Sequence, residues 1–180
     1  LYSINPLMNS NPTPIKSPQG PSWQRCRMAL VSILSACGLM TSEAAFLTPT
    51  AVVYVSTGTG TKDAIIDNAN LSDPPSPTST QDASAGKWTG VGSIKQEIVL
   101  DLGQSYSLTK IYLWNYQGDT TAGLKDVEIQ TSPGSDYATA KFTAVSRVFL
   151  TEGGDSAQTF NIVATDARLV RLKILSNWGQ

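Results

Sequence analysis

From Phe46 to the end of the chain, apolar and polar residues alternate with a period of two rather than 3.6. This period is typical of β-strands that bury one face. In residues 94–102, the positions on one face are Ile94, Gln96, Ile98, Leu100 and Leu102. Lys95, Glu97 and Asp101 lie on the other face. The segment is therefore predicted to be a strand with one face in the core and one in water.

The same alternation recurs along the rest of the chain. Its inward positions are Ile111 and Leu113, Val127 and Ile129, and Val170, Leu172 and Ile174. Further strands are predicted at 51–55, 142–145, 147–150 and 159–163, and turn-forming sequences stand at 101–104, 117–119, 132–135 and 152–155. Several short strands at this spacing, with no helical period between them, predict an all-β domain folded as an antiparallel β-sandwich.

The first 24 residues have a different composition. They hold five of the ten prolines, set among Asn, Ser and Gln. Such a segment has too little apolar surface to offset the entropy lost on ordering, so we expect residues 1–24 to be a disordered leader. The chain begins with Leu1, and Met8 or Met28 is an alternative start of translation.

Residues 25–45 have the order of a secretory signal peptide. Two arginines precede an apolar run at 28–40, and small residues ending at Ala45 provide a cleavage site. The run of 13 residues is shorter than the roughly 20 that a membrane-spanning helix needs. The pattern predicts secretion or display at the cell surface, and the alternative is a buried helix of a cytoplasmic protein.

Cys37 offers a second way of processing the leader. The sequence LSAC at 34–37 resembles a bacterial lipobox, in which the cysteine is lipidated and becomes the first mature residue. Cleavage after Ala44 competes with it, so ordinary secretion and a lipoprotein anchored at Cys37 both stay open. The other cysteine is Cys26, so residues 38–180 cannot form a disulfide bond.

Composition excludes several classes of function. Thirteen Lys and Arg against fourteen Asp and Glu give a net charge of −1, which argues against nucleic acid as a partner. The chain has no histidine, which removes serine–histidine and cysteine–histidine catalysis and the commonest zinc ligand. Asp126 and Glu128 share a strand face, but Lys125 beside them predicts a solvated surface rather than a glycosidase pair. We therefore expect a protein that is not an enzyme.

Four separated motifs stand in a recognisable order. They are AIIDN at 64–68, IVLDLG at 98–103 with 108–114 behind it, LWNY at 113–116 followed by GLKDVEI at 123–129, and ARLVRLKI at 167–174 followed by SNWG at 176–179. Together they resemble the discoidin family, also called coagulation factor V/VIII C-type (F5/8 type C) domains, of the galactose-binding-like superfamily. The third motif is similar to the version found in secreted bacterial proteins. The resemblance covers about residues 47–180 and implies a jelly-roll sandwich.

The sequence differs from the family pattern after the last motif. The family closes its sandwich with one more strand after the Asn-Trp-Gly loop, whereas this sequence stops at Gln180. We therefore expect the domain at 46–180 to lack its closing strand and to expose an unpaired edge.

The family often holds a structural calcium ion in the loop that corresponds to residues 67–73. Asp67, Asn70 and Asp73 supply the oxygen ligands that calcium prefers. A structural Ca²⁺ is therefore an expectation for this chain. The alternative is that Asp67 caps a turn and the others are solvated loop residues.

Carbohydrate sites combine an aromatic platform for the C–H face of a sugar with polar groups for its hydroxyls. Trp178 lies in a loop beside Asn177, an unusual place for a core residue. We predict Trp178 as the platform, with Asn115, Asp119, Lys125 and Asn177 as hydrogen-bonding partners. The alternative is that the aromatic residues of these motifs pin loops to the sandwich.

The resemblance and the candidate residues together predict a non-catalytic module that binds a glycan or cell-surface polysaccharide, or mediates adhesion, in an exported bacterial protein. Two alternatives stay open: a structural or protein–protein interaction module, and an accessory domain of a secreted glycoside hydrolase. Loss of sugar binding on changing Trp178 would favour the first function, and capture of a protein partner without sugar binding would favour the alternative module.

Overall fold

The computed structural model describes residues 2–7, 46–67, 80, 88–90, 95–117 and 119–179. Its strands are β1 (Tyr2–Leu7), β2 (Ala51–Val55), β3 (Gly58–Gly60), β4 (Trp88–Gly90), β5 (Gln96–Leu113), β6 (Leu124–Ser132), β7 (Thr143–Phe149) and β8 (Gln158–Asn177). Two short 3-10 helices are η1 (Lys62–Ile65) and η2 (Thr120–Ala122). Among the residues described, no helix is long and apolar enough to span a membrane.

Strands β5 and β8 form the centre of the larger sheet. The strand order in that sheet is β1-β5-β8-β6-β7, and β2 pairs with β5 beside this path. Strands β3 and β4 form a separate two-stranded sheet. All of these pairings are antiparallel. The predicted all-β, antiparallel fold is confirmed.

The core contains the residues that the period-two pattern placed inward. Its buried members include Ile98, Leu100, Leu102, Ile111, Leu113, Val127, Ile129, Val170, Leu172 and Ile174. Both halves of β5 and of β8 contribute to this one cluster, as expected for a sandwich built around a single core. At roughly 25 cal/mol per Å² of apolar surface removed from water, this cluster is the main source of the fold's stability.

Strands β5 and β8 are longer than the sequence predicts, at 18 and 20 residues. The turn predicted at 101–104 is an irregularity inside β5, because the pairing with β8 shifts register between Asp101 and Tyr106. Gly103 has a φ of 83°, and its N–H donates to Asp101 Oδ1 at 2.8 Å. An irregularity with glycine at positive φ bends a strand without ending it. The predicted chain reversal at this point is therefore wrong.

The outer face of the sheet is less exposed to solvent than the sequence predicts. Val99 lies on this face of β5 but has no exposed surface, between its strand partners Tyr54 and Arg171. The Tyr54 ring stacks on Tyr137 with ring centroids 4.6 Å apart, and the Arg171 guanidinium lies 4.2 Å from the centre of the Phe142 ring. Tyr137 and Phe142 belong to the connection between β6 and β7, which therefore folds back over the outer face.

One segment of the predicted leader, Tyr2–Leu7, lies within the described residues as a strand. This segment forms β1 and pairs antiparallel with the second half of β5, from Ser107 to Leu113. The sequence YSINPL alternates apolar and polar residues over its first four positions, and proline content obscured that signal. The rest of the leader, the signal-like segment at 25–45 and Cys37 lie outside the described residues.

Candidate functional site

Three connections meet at one end of the sandwich, which we call the loop end. They are the connection from β5 to β6 at 114–123, the connection from β7 to β8 at 150–157, and residues 178–179 after β8. They meet because the first residue of β6, Leu124, is the strand partner of Asn177, the last residue of β8. This pairing brings together sequence-predicted residues that lie more than 50 positions apart in the chain.

Asn115 holds two of these connections together. Its Nδ2 donates to the carbonyl oxygens of Leu124 and Thr151, each at 2.8 Å. Its Oδ1 accepts from the backbone N–H of Leu124 at 2.7 Å and of Tyr116 at 3.0 Å. The residue is only 1% exposed.

The predicted role of Asn115 as a ligand contact is therefore not the role that the structure gives it. Its amide is already used for backbone hydrogen bonds and is shielded from solvent, so it organises the loop end instead. Asn115 also packs closely against Gly123, because a Cβ at position 123 would lie 2.8 Å from Asn115 Oδ1.

Asp119 shapes the neighbouring turn. It is the N-cap of η2, and its Oδ1 accepts from the backbone N–H of Thr121 at 3.1 Å and from the Thr121 hydroxyl at 2.6 Å. The Thr121 carbonyl in turn accepts from the N–H of Gly179 at 2.7 Å. Asp119 is exposed at the loop end, so it combines a capping role with access to a ligand.

Trp178 lies beside η2 and is partly exposed. Its backbone N–H donates to the Gly123 carbonyl at 3.2 Å, and Lys125 Nζ lies 4.8 Å from the centre of its ring. Its indole Nε1 and the Oδ1 of Asn177 are buried and have no hydrogen-bond partner among the described residues. An unpaired buried polar atom costs about 1–3 kcal/mol, so these two consecutive residues each keep an unsatisfied polar atom at the loop end.

The structure thus brings all five predicted ligand residues to one end of the molecule. Four of them, Trp178, Asn177, Asp119 and Lys125, have some exposure there. An indole ring, a cation, a carboxylate and an amide in one place can offer stacking and hydrogen bonds to a polyhydroxylated ligand.

Sequence reasoning missed a second exposed group beside the loop end, on β7. Phe149 is 64% exposed, and Arg147 lies on the same face with its guanidinium 5.6 Å from the centre of the Phe149 ring. Arg147 donates from Nε to Asp126 Oδ1 at 2.8 Å and from Nη2 to Asp126 Oδ2. These hydrogen bonds hold the pKa of Asp126 below its usual range. The alternation in VSRVFL at 145–150 was the available signal, because it puts Arg147 and Phe149 outward together.

The two carboxylates considered for catalysis both have basic partners. Asp126 pairs with Arg147, and Glu128 Oε1 lies 3.5 Å from Lys173 Nζ. They belong to a set of ion pairs across the outer face of the sheet. Asp126 is only 7% exposed and Glu128 is partly buried, so this part of the outer face is less solvated than the sequence predicts, and the carboxylates serve as ion-pair partners.

The residues predicted to bind calcium are only partly described. Asp67 is exposed and follows η1, whereas Asn70 and Asp73 lie outside the described residues. Within the described ranges no group of three or more acidic residues or cysteines is placed to hold a metal ion. The donors of the predicted loop are all oxygen atoms, which fits the chemistry of calcium.

Comparisons with known proteins assign most of this chain to a family. A family model for the F5/8 type C domain matches residues 49–180. A search among curated proteins finds no match.

One solved structure shows the same fold, and others are similar to this chain. CBM32-3 from a family 31 glycoside hydrolase of Clostridium perfringens matches with a TM-score of 0.53 at 14% identity, over 71% of this chain and 79% of that chain. The C. perfringens module CpGH89CBM32-5, solved with GalNAc-β-1,3-galactose, matches with a TM-score of 0.43 at 26% identity. This match covers 49% of this chain and 60% of that chain. The family 32 CBM of C. perfringens NanJ, solved with galactose, has a TM-score of 0.49 at 13% identity, over 70% of this chain and 82% of that chain.

Proposed function

The chain belongs to the F5/8 type C family, and we propose that it is a carbohydrate-binding module that holds a glycan at its loop end without chemical turnover. The observation that carries the proposal is the grouping of a partly exposed Trp178 with Lys125, Asp119 and Asn177. The fold, shared with a carbohydrate-binding module of a C. perfringens glycoside hydrolase, supports it.

Each part of the loop end has a role in this proposal. The indole of Trp178 stacks on the C–H face of a sugar ring, and Asp119 and Lys125 offer an acceptor and a donor to its hydroxyls. Asn115 fixes the backbone on which these side chains stand.

A glycan array probed with the full chain tests the function directly. We expect binding to a subset of glycans, and isothermal titration with the strongest of them then gives the affinity. Indifference to every glycan, together with capture of a protein partner, would instead favour a structural or protein–protein interaction module, the adhesive alternative.

We also propose a structural calcium ion at the loop that begins with Asp67. Saturating Ca²⁺ is expected to raise the melting temperature, because a ligand at 100 times its Kd stabilises the native state by about 2.7 kcal/mol. Asp67→Ala should remove this gain. Asp63→Ala, which removes another exposed carboxylate from the same segment, should keep it. If Ca²⁺ does not change the melting temperature of the parent chain, the proposed calcium site is wrong.

Finally, we propose that the module is exported to the cell surface or beyond, on the basis of the signal-like order of residues 25–45. Expression in a bacterial host followed by N-terminal sequencing of the exported protein checks this. A mature start at Ala45 supports ordinary secretion, and a lipid-blocked start at Cys37 supports a lipoprotein. Retention of the whole leader in the cytoplasm would contradict export.

A further inference from the structure

We propose that Phe149, Arg147 and Asp126 form a second sugar-binding subsite on the outer face of the sheet, beside the loop end. We call these three residues the rim subsite. The inference rests on the proposed function, since it assigns to the same module a second contact with a neutral glycan chain.

The rim subsite adjoins the site at Trp178 through strand β6. Phe149 is the strand partner of Asp126, and Asp126 also pairs with Ser176 on β8, two residues before Trp178. Lys125 links the two places, because its carbonyl accepts from the N–H of Leu150 at 2.8 Å while its ammonium lies over the Trp178 ring. Neighbouring strands lie about 4.8 Å apart, so the backbone positions of Phe149 and Ser176 are roughly 10 Å apart.

The exposure of Phe149 is the main observation behind the proposal. Among the described residues, the exposed large hydrophobic side chains are Val53, Phe149 and Val163, and of these Phe149 is aromatic. Its neighbours Val148 and Leu150 are buried, so the pleat of β7 fixes the ring on the outer face. Among the described strands, β7 is also at the edge of the sheet, which leaves room for a ligand beside it.

Arg147 supplies the polar part of the subsite. A guanidinium has five N–H donors, and the pair with Asp126 uses two of them, at Nε and Nη2. Three donors are left on a side chain that is 57% exposed and lies next to the Phe149 ring. The guanidinium is planar, and the bidentate contact with Asp126 fixes its orientation, so the remaining donors are preorganised for sugar hydroxyls or ring oxygens.

The electrostatics of the rim subsite favour a neutral sugar. The charge of Arg147 is balanced by the carboxylate of Asp126, so the pair has no net charge to attract an acidic sugar. An aromatic face beside a charge-balanced pair is suited to stacking and hydrogen bonding with hydroxyl groups.

Binding measurements with matched variants of the full chain test the subsite. The probes are neutral oligosaccharides of hexose and N-acetylhexosamine units, with a uronic-acid oligosaccharide for comparison. Phe149→Ala should weaken binding of the neutral oligosaccharide at least tenfold with little change in melting temperature. Arg147→Lys, which keeps the charge but loses the planar fork, should weaken it severalfold. Val163→Ala removes a side chain that is 72% exposed elsewhere and should bind like the parent.

The outcomes separate this inference from the proposed function. If the parent binds glycans and Phe149→Ala binds them equally well, the rim subsite is wrong while the function at Trp178 stands. If the uronic-acid probe alone depends on Phe149 and Arg147, the neutral-sugar assignment is wrong. If the parent binds no glycan, the proposed function fails and the subsite fails with it.

Discussion

Replacing Asn115 by Asp is expected to lower the free energy of unfolding by about 3–5 kcal/mol. The amide now donates to two carbonyl oxygens, those of Leu124 and Thr151, from a position that is 1% exposed. A carboxylate cannot donate, so both carbonyls would lose their partner and face a buried negative charge instead. A buried charge without an opposite charge beside it destabilises a protein by about this amount, even where backbone N–H groups donate to it.

Urea denaturation of the parent and of Asn115→Asp measures the difference. Asn161→Asp is the matched control, because Asn161 is exposed on β8 and the same chemical change there should cost less than about 0.5 kcal/mol. Equal stability of Asn115→Asp and the parent would show that the two hydrogen bonds donated by the amide do not hold the loop end together.

The sequence predicts the strands and the core well, for a simple physical reason. A strand that buries one face must alternate, and one slip in register would expose its whole inward set. Ile98, Leu100 and Leu102 on β5, and Val170 and Leu172 on β8, are therefore identified without knowledge of their partners. All five are buried in the structure.

The cover of the outer face and the bend in β5 could not be predicted in the same way. Both depend on contacts between distant parts of the chain. Tyr137 stacks on Tyr54, which lies more than 80 positions earlier, and no local sequence pattern predicts that contact. The glycine of the predicted turn at 101–104 fits a bulge as well as a chain reversal, and only the pairing of β5 with β8 decides between them.

The candidate site also has features that the local sequence predicts and features that depend on contacts between distant residues. Trp178, Lys125 and Asp119 were predicted from residue type, because an aromatic ring and polar groups together are suited to sugar binding. Residue type could not distinguish an amide that faces a ligand from one that faces the backbone. Asn115 belongs to the second kind, since its partner Thr151 lies 36 positions away.

Trp178→Ala is expected to weaken glycan binding at least tenfold, equivalent to about 1.4 kcal/mol or more of binding free energy. The substitution removes the aromatic platform of the loop end, and alanine offers no stacking face. Because the Trp178 backbone N–H still donates to the Gly123 carbonyl, the turn after β8 should keep its path. Isothermal titration with a glycan selected on the array measures the loss.

Two variants distinguish a binding role of Trp178 from a packing role. Trp178→Phe keeps an aromatic face and should recover much of the affinity. Trp88 is also partly buried and packs against the main core from the two-stranded sheet, so Trp88→Ala should lower the melting temperature while the folded protein keeps its affinity. If Trp178→Ala loses stability as Trp88→Ala does but binds glycans like the parent, Trp178 pins a loop to the sandwich and the ligand is held elsewhere.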